Sequence, residues 1–441
     1  MATIPPHSGV LSFREAYETV LRYCRYTSAP ASAKVPLVKG LGRVLAETVV
    51  ADRDFPPFNR STRDGFAVRA ADLSQPPVTL KVIGQIKAGG SFAGHVESGE
   101  AVEIMTGAGL PGDADAVVMV EYTSQKDDNV EIQRAVVAGE NFVPTGAEAH
   151  AGDKLLPAGM RLGPAQIAMA AAVGKATLQV FRKPRVAILA TGDELVEVAE
   201  TPGPQQIRNS NTYSLAALVT ACGGEPIMLP IAPDEERKLA TLMQAGLEQA
   251  DLLLLSGGVS MGKFDLVEKV LASLGAEFFF TGALIQPGKP VVFGEIPTPT
   301  AAGPTEAQPK KKAKAVVQRK AIPFFGLPGN PVSVMVTFDL FVRPLVEALG
   351  GAVPARLAAA KARLRVPVKT KTGLTRFLPA ILQGTLDDPH VEAVPWQGSG
   401  DLLASARANC YLVVPPDRDQ IPAGEMVTVL VQNGQEIQKD F

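Results

Sequence analysis

At 441 residues the chain is longer than one hydrophobic core serves, so several domains are expected. Hydrophobic residues make up 46% and charged ones 20%, which excludes a disordered chain. Lys plus Arg number 43 against 45 Asp plus Glu, a formal net charge of -2; no global field draws nucleic acid or anionic membrane, and any bound anion has to be held by local groups.

Ser12 with Glu15 three residues later makes a capping box, and SFREAYETVLRYCRYT continues with apolar residues at helical spacing, which predicts an N-terminal helix. From Val78 to about Val137 the texture is short β-rich runs, VTLKVIGQI, EAVEIM, ADAVVMVEYT and NVEIQRAVV, broken by Gly, Pro and Asp. A small β domain over residues 53–139 is expected. GAEAHAGDKLLPAGMRLGPAQIAMAAAVG then passes through a Gly-rich turn into an Ala-rich helix. Packed near the N-terminal helix, it completes a discontinuous helical and linker domain, residues 1–52 and 140–182.

From Lys183 the pattern repeats strand, loop, helix. RVAILATGDEL, EPIMLPIAPDE, ADLLLLSGGVS, GKPVVFGEI and AIPFFGLPGN read as strands with their loops; NSNTYSLAALVTACGG, with N-cap candidates ahead and glycines behind, and DEERKLATLMQAGLEQA read as helices. Continuous apolar strands alternating with helices predict a doubly wound parallel sheet covered on both faces, over residues 183–352. PTPTAAGPTEAQPKKKAKAVVQRKAI has no period and reads as an exposed insertion at 297–322, its basic run a solvated loop rather than a nucleic-acid or targeting patch. After Pro354 the runs ARLRVPVKT, TRFLPAILQG, HVEAVPW, CYLVVPP and EMVTVLVQ predict a C-terminal β-barrel domain over 353–441. The fold class is multidomain α/β.

Cys24, Cys222 and Cys410 are scattered, as are His7, His95, His150 and His390. That spacing excludes a disulfide framework and argues against zinc, leaving a hard ion held by oxygen as the metal to expect. MATIPPHSGVLSFREAYETV lacks the basic-then-apolar order of a signal peptide and no apolar run approaches a membrane span, so a cytoplasmic protein that binds neither membrane nor nucleic acid is expected.

In an open α/β sheet, ligands sit beyond the carboxyl ends of the strands. Three loops occupy that position: TGDE at Thr191–Glu194, SGGVSMGKFD at Ser256–Asp265 and LPGNPVS at Leu327–Ser333. Glycine lets backbone N–H groups approach an anion closely, so these loops predict a cradle for phosphate or another oxyanion. Asp193, Glu194, Asp234 and Asp265 each follow a predicted strand, and carboxylates beside phosphate-binding loops suggest Mg²⁺. Asp234 has a second reading as an N-cap, and Asp265 as a first-turn helix acid. GGVSMGKF is not a Walker A loop, because Phe264 stands where a Ser or Thr should hold Mg²⁺. GAGLPG, Gly107–Gly112, runs into a strand rather than a helix and is not a dinucleotide fingerprint. With histidine scarce and absent from the strand ends, positioning and electrostatics by metal, lysine and backbone amides carry the chemistry.

The motifs FNRSTRDGFAV, IMTGAGLPGDADAVVMVE, ATGDELV, SGGVSMGKFD, PGKPVVFG, FFGLPGNPVS and GSGDLLASARANCYLVVP, in that order, resemble the molybdopterin molybdenumtransferase family, which includes the E domain of gephyrin. The resemblance spans nearly the whole chain. It implies insertion of molybdate into adenylylated molybdopterin, with Mg²⁺-dependent release of AMP to give molybdenum cofactor. It also implies a homodimer of four-domain subunits whose site lies between the doubly wound domain of one chain and elements of the other. Further partners it implies are a molybdopterin adenylyltransferase and cofactor-accepting enzymes. By the same resemblance Asp64 and Thr106 reach in from the β domain, while Glu194, Asp234 and Asp265 serve Mg²⁺ and nucleotide, with Asp193 beside them. Ser256, Gly257, Gly258 and Ser260 hold pterin and phosphate together with Pro328, Gly329, Asn330 and Ser333; Lys289 and Ser399 bind molybdate.

This sequence departs from the family pattern at three points. Gln286 replaces the first Lys of Lys-Pro-Gly-Lys-Pro, Leu374 stands where an Arg is usual, with Arg376 two residues on, and Glu148 replaces an Asp. Each lost charge-assisted contact is worth about 1.5 to 3 kcal/mol to an anion pocket. The departures suggest an oxyanion site rebuilt around Lys289, Arg376 and Ser399. They leave two alternatives beside the molybdate enzyme: a tungstate-using paralogue and a non-catalytic molybdopterin carrier or scaffold.

Overall fold

The computed structural model describes residues 9–28, 30–258, 266–297, 321–354, 357–385 and 387–432. It divides into two compact units, the first made of residues 1–33, 42–44 and 180–441 and the second of residues 34–41 and 45–179.

The first unit opens with helix α1 (Phe13–Cys24), capped as the sequence predicts: Ser12 Oγ accepts from Glu15 N at 3.3 Å, and Glu15 Oε2 accepts from Ser12 N at 2.9 Å.

In the second unit β1 (Gly65–Val68), β2 (Val78–Ile86), β3 (Glu100–Ile104), β4 (Ala116–Met119), β5 (Thr123–Lys126) and β6 (Asn129–Ile132) form one sheet in the order β4-β1-β3-β2-β6-β5. Side chains alternate across a strand, so Phe66 and Val68 enter one core with Leu80, Val118 and Val130, while Ala67 enters another with Ile86, Val102 and Val117. Helix α2 (Pro164–Ala172) is the Ala-rich helix, with Pro164 at its start.

The rest of the first unit is the doubly wound domain and the barrel. Strands β7 (Arg185–Ala190), β8 (Glu225–Met228), β9 (Leu252–Ser256), β10 (Glu277–Phe280), β11 (Val292–Pro297) and β12 (Ala321–Leu327) form a sheet in the order β8-β7-β9-β12-β11-β10. β8, β7, β9 and β12 are parallel; β11 runs antiparallel to both its neighbours, so β10 points the same way as the first four. A parallel return needs a crossover helix, and the chain between β10 and β11 instead adds two short pairs, Gly282–Ala283 with Val10–Leu11 and Ile285–Gln286 with Thr375–Arg376. The basic insertion joins β11 to β12, and its residues 298–320 lie outside the described residues.

Both sheet faces are covered, as continuous apolar strands require. Val186, Ile188, Leu254 and Phe325 pack with α1, α3 (Ser210–Ala221), α6 (Pro331–Thr337) and α7 (Arg343–Leu349). Ala187, Leu189, Leu253 and Phe324 pack with α4 (Glu236–Gln249) and α5 (Leu266–Ser273). Helix α1 differs from the expectation that grouped it with the Ala-rich helix: its buried Ala16, Val20 and Cys24 belong to the doubly wound core. The cause is its aromatic face, where Phe13 meets Phe377 at 5.1 Å, Tyr23 meets Phe293 at 5.3 Å, and the Tyr23 hydroxyl donates to Glu295 at 2.8 Å.

The C-terminal barrel is present. β13 (Ala359–Leu364), β14 (Thr375–Gly384), β15 (Pro389–Ala393), β16 (Cys410–Val414) and β17 (Met426–Val431) pair in the circuit β14-β15-β13-β17-β16, and β16 returns to β14 to close it around Leu364, Leu382, Val391 and Leu412. Closure leaves no free edge among these strands. A short helix, α8 (Leu402–Arg407), precedes β16, with Asp401 as its N-cap.

Candidate active site

The register of the parallel strands brings the three predicted loops together. Ala190 stands opposite Ser256 and Ser256 opposite Leu327, so the chain leaves β7, β9 and β12 at one level. Thr191 N donates to Ser256 O at 3.0 Å, and Gly257 N to Leu327 O at 3.3 Å. Gly257 has φ 90, and a Cβ there would lie 2.5 Å from the Thr191 carbonyl oxygen, so no other residue fits this turn undisturbed. A Cβ on Gly329 would lie 3.7 Å from Gly257 Cα, which puts the two Gly-rich loops in contact. Ser256 and Ser333 are buried at the base of this crevice. Ser260 and Asp265 lie outside the described residues.

Asp193, Glu194 and Asp234 are exposed at the same sheet edge. Thr191 Oγ1 donates to Asp234 Oδ1 at 2.9 Å, and Asp234 N donates to Asp193 Oδ1 at 3.1 Å. This decides between the two readings of Asp234: the N-cap of α4 is Glu235, without a side-chain cap bond, and the Asp234 carboxylate turns to Thr191 instead. Each aspartate keeps one oxygen outside these bonds, a donor set suited to a hard cation that retains waters and phosphate oxygens. Among the described residues no three His, Cys, Asp or Glu side chains form a ready-made metal cage.

A cleft of about 360 Å³ is lined by Pro328, Asn330 and Ser333 of the third loop together with Lys289, Ser399 and Trp396. Asn330 Nδ2 donates to Ser399 Oγ at 2.7 Å, and Val332 N donates to Ser399 O at 3.1 Å, so the loop before α8 is tied to the loop before α6. Lys289 is the one cationic side chain among the described lining residues, and Gln286 and Leu374 present neutral groups.

Arg376, expected beside Lys289 and Ser399, is not among the residues that line the cleft and stands behind Gln286, which does. It is 6% exposed, and its guanidinium donates to Gln286 Oε1 at 2.8 Å, to Leu374 O at 3.2 Å and to Lys371 O. The physical reason is register: Gln286 pairs with Arg376 across the short parallel ladder, which gives the guanidinium a neutral acceptor.

In the second unit Asp64 and Thr106 meet. Asp64 Oδ1 accepts from Thr106 N at 2.6 Å and from Thr106 Oγ1 at 2.8 Å, and these bonds, the backbone one foremost, hold the carboxyl below the usual aspartate range. Glu148 pairs with Arg60 at 2.8 Å.

The sequence reading missed Asn211. In NSNTYS it looks like one of several cap candidates, but Asn209 is the cap, accepting from Thr212 N at 3.2 Å, and Asn211 turns to the crevice. Its Nδ2 donates to Ser256 Oγ at 3.0 Å and to Gly329 O at 2.7 Å.

Three family models match the chain: the MoeA N-terminal region (domain I and II) over residues 11–174, the probable molybdopterin binding domain over 187–348, and the MoeA C-terminal region (domain IV) over 361–431. A molybdopterin molybdenumtransferase of Nostoc sp. is 37% identical over 401 residues, covering 88% of this chain and 86% of that protein. The chain belongs to the MoeA family. Its similarity to MoeA proteins extends to Bacillus subtilis, whose molybdopterin molybdenumtransferase is 32% identical over 431 residues and 95% of each chain. Solved structures of molybdopterin biosynthesis MoeA proteins from Pyrococcus horikoshii match at TM-scores of 0.70 and 0.76, with 33% and 29% identity and coverage of 97% and 96% of this chain and all of theirs. The MoeA architecture accounts for the doubly wound domain and the closed C-terminal barrel together.

Proposed function

We propose that the chain is a molybdopterin molybdenumtransferase that inserts molybdate into adenylylated molybdopterin and releases AMP. The observation that carries this is the shared wall: the Pro328–Ser333 loop faces the Gly-rich crevice with its acids and also lines the cleft that holds Lys289. One ligand lying along that loop meets a phosphate cradle and an oxyanion cation at once.

In this reading Ser256, Gly257 and Gly258, with Ser260, hold the pterin and phosphate from one side, and Pro328, Gly329, Asn330 and Ser333 hold them from the other. The Lys289 ammonium and the Ser399 hydroxyl receive molybdate. Asp193, Glu194 and Asp234, with Asp265, supply the oxygen ligands for Mg²⁺. When bound, Mg²⁺ neutralises charge on the phosphate that leaves as AMP. The protein's own share is orientation and electrostatic stabilisation by fixed donors. Asp64 and Thr106 form a further carboxylate and hydroxyl pair assigned to the reaction. The active form is a homodimer in the cytoplasm.

The test is AMP release from purified full-length protein given adenylylated molybdopterin and Mg²⁺, with molybdate, with tungstate and with neither. Release stimulated by molybdate and abolished by chelation is expected. Stimulation by tungstate alone would reassign the metal, and tight pterin binding without release would make the chain a carrier.

A further inference from the structure

We propose that Asn211 is a positioning residue for this site, a brace that sets the spacing between the Ser256–Gly258 and Pro328–Asn330 loops; the proposal rests on reading those loops as the place where the adenylylated pterin is held. Gly257 and Gly329 approach without side chains between them, one step beyond the bond from Gly257 N to Leu327 O that ends the ladder. The Asn211 carboxamide spans the gap, donating from Nδ2 to Ser256 Oγ at 3.0 Å on one side and to Gly329 O at 2.7 Å on the other.

Two features separate this arrangement from ordinary packing. The helix does not need Asn211 as a cap, because Asn209 fills that place. The orientation of the carboxamide is also set by the two loops and not by its own helix. If its ends were exchanged, Oδ1 would face the Gly329 carbonyl, acceptor against acceptor, so the orientation is fixed by its partners. In that orientation Oδ1 is buried with no hydrogen-bond partner among the described residues. What the carboxamide secures is the geometry of two loops that approach as bare backbone.

The experiment combines amide hydrogen exchange of the full-length protein with titration by adenylylated molybdopterin, followed by pterin fluorescence, for wild type, Asn211→Ala and Asn211→Asp. Asn211→Ala is expected to leave the melting temperature nearly unchanged, because two bonds and one orphaned acceptor are lost together. It should speed exchange at Gly257 and Gly329 and weaken the ligand roughly 10-fold. Asn211→Asp is expected to be worse at about pH 8, where a carboxylate opposes the Gly329 carbonyl, and to recover toward wild type as the carboxyl protonates and regains a donor. A merely structural role would move the melting temperature together with the affinity, whereas the brace moves affinity at a nearly unchanged melting temperature. Unchanged exchange in Asn211→Ala overturns the brace, and faster exchange with unchanged affinity overturns its part in ligand positioning. If wild type does not bind the ligand, the functional reading fails, while the exchange data still decide the brace.

Discussion

The Asp64 carboxylate takes two hydrogen bonds from a single residue, Thr106: its backbone N–H at 2.6 Å and its hydroxyl at 2.8 Å. Both bonds favour the charged form, so the folded carboxyl lies below the ordinary aspartate range. A carboxylate depressed in this way adds stability above the unfolded pKa and loses it as pH falls through the folded value. Thr106→Val removes the hydroxyl and keeps the N–H. The Asp64 pKa is expected to rise part of the way to its ordinary value in a carboxyl-carbon NMR titration, and an unchanged titration would show that the hydroxyl contributes nothing.

At Gly257 the backbone and the space both exclude a side chain. Gly257→Ala is expected to cost about 2 to 5 kcal/mol, combining the positive-φ penalty with overpacking against the Thr191 carbonyl. Gly373→Ala is the control, since Gly373 has φ 95 and nothing within 4 Å of a Cβ. Urea denaturation of the two variants isolates the collision; equal losses would mean that the crevice yields.

Lys289 and Arg376 are expected to separate by function. Lys289→Met should raise the molybdate concentration for half-maximal AMP release by about 10- to 100-fold, the value of one charge-assisted contact, with pterin affinity little changed. Arg376→Met should lower stability and leave the molybdate requirement alone, because its guanidinium is committed to Gln286 and two carbonyls. A molybdate defect in Arg376→Met of the same size as that in Lys289→Met would contradict this division.

Asp339 and Arg343 form an ion pair whose side chains are each 15% exposed, and Tyr411 of the barrel donates its hydroxyl to Asp339 at 3.3 Å. Burial pushes the Asp339 carboxyl up and Arg343 opposes it, while Arg343 Nη1 has no hydrogen-bond partner among the described residues. Asp339→Leu strands the guanidinium and is expected to cost about 3 to 5 kcal/mol by chemical denaturation. Adding Arg343→Met should restore most of the loss, since apolar groups can replace a buried pair with little penalty. No restoration would show that the charges themselves hold the barrel.

The sequence by itself determined the features set by local pattern. Ser12 and Glu15 cap α1, apolar runs make the two-faced sheet, and Gly and Pro mark Ser256–Gly258 and Pro328–Asn330 as loops beyond strand ends, because periodicity and backbone freedom act over a few residues. The tertiary structure decided what depends on register. Pairing Gln286 with Arg376 gave the guanidinium a neutral acceptor, and bringing Thr191 beside Asp234 chose a hydroxyl contact over a helix cap. Asn211 is the clearest case: three cap-forming residues in a row give no local reason to choose among them. Only the approach of Ser256 and Gly329, distant in the chain, gives its carboxamide two acceptors to bridge. Side-chain direction follows from partners that are close in space, and partners remote in sequence leave no local periodicity to read.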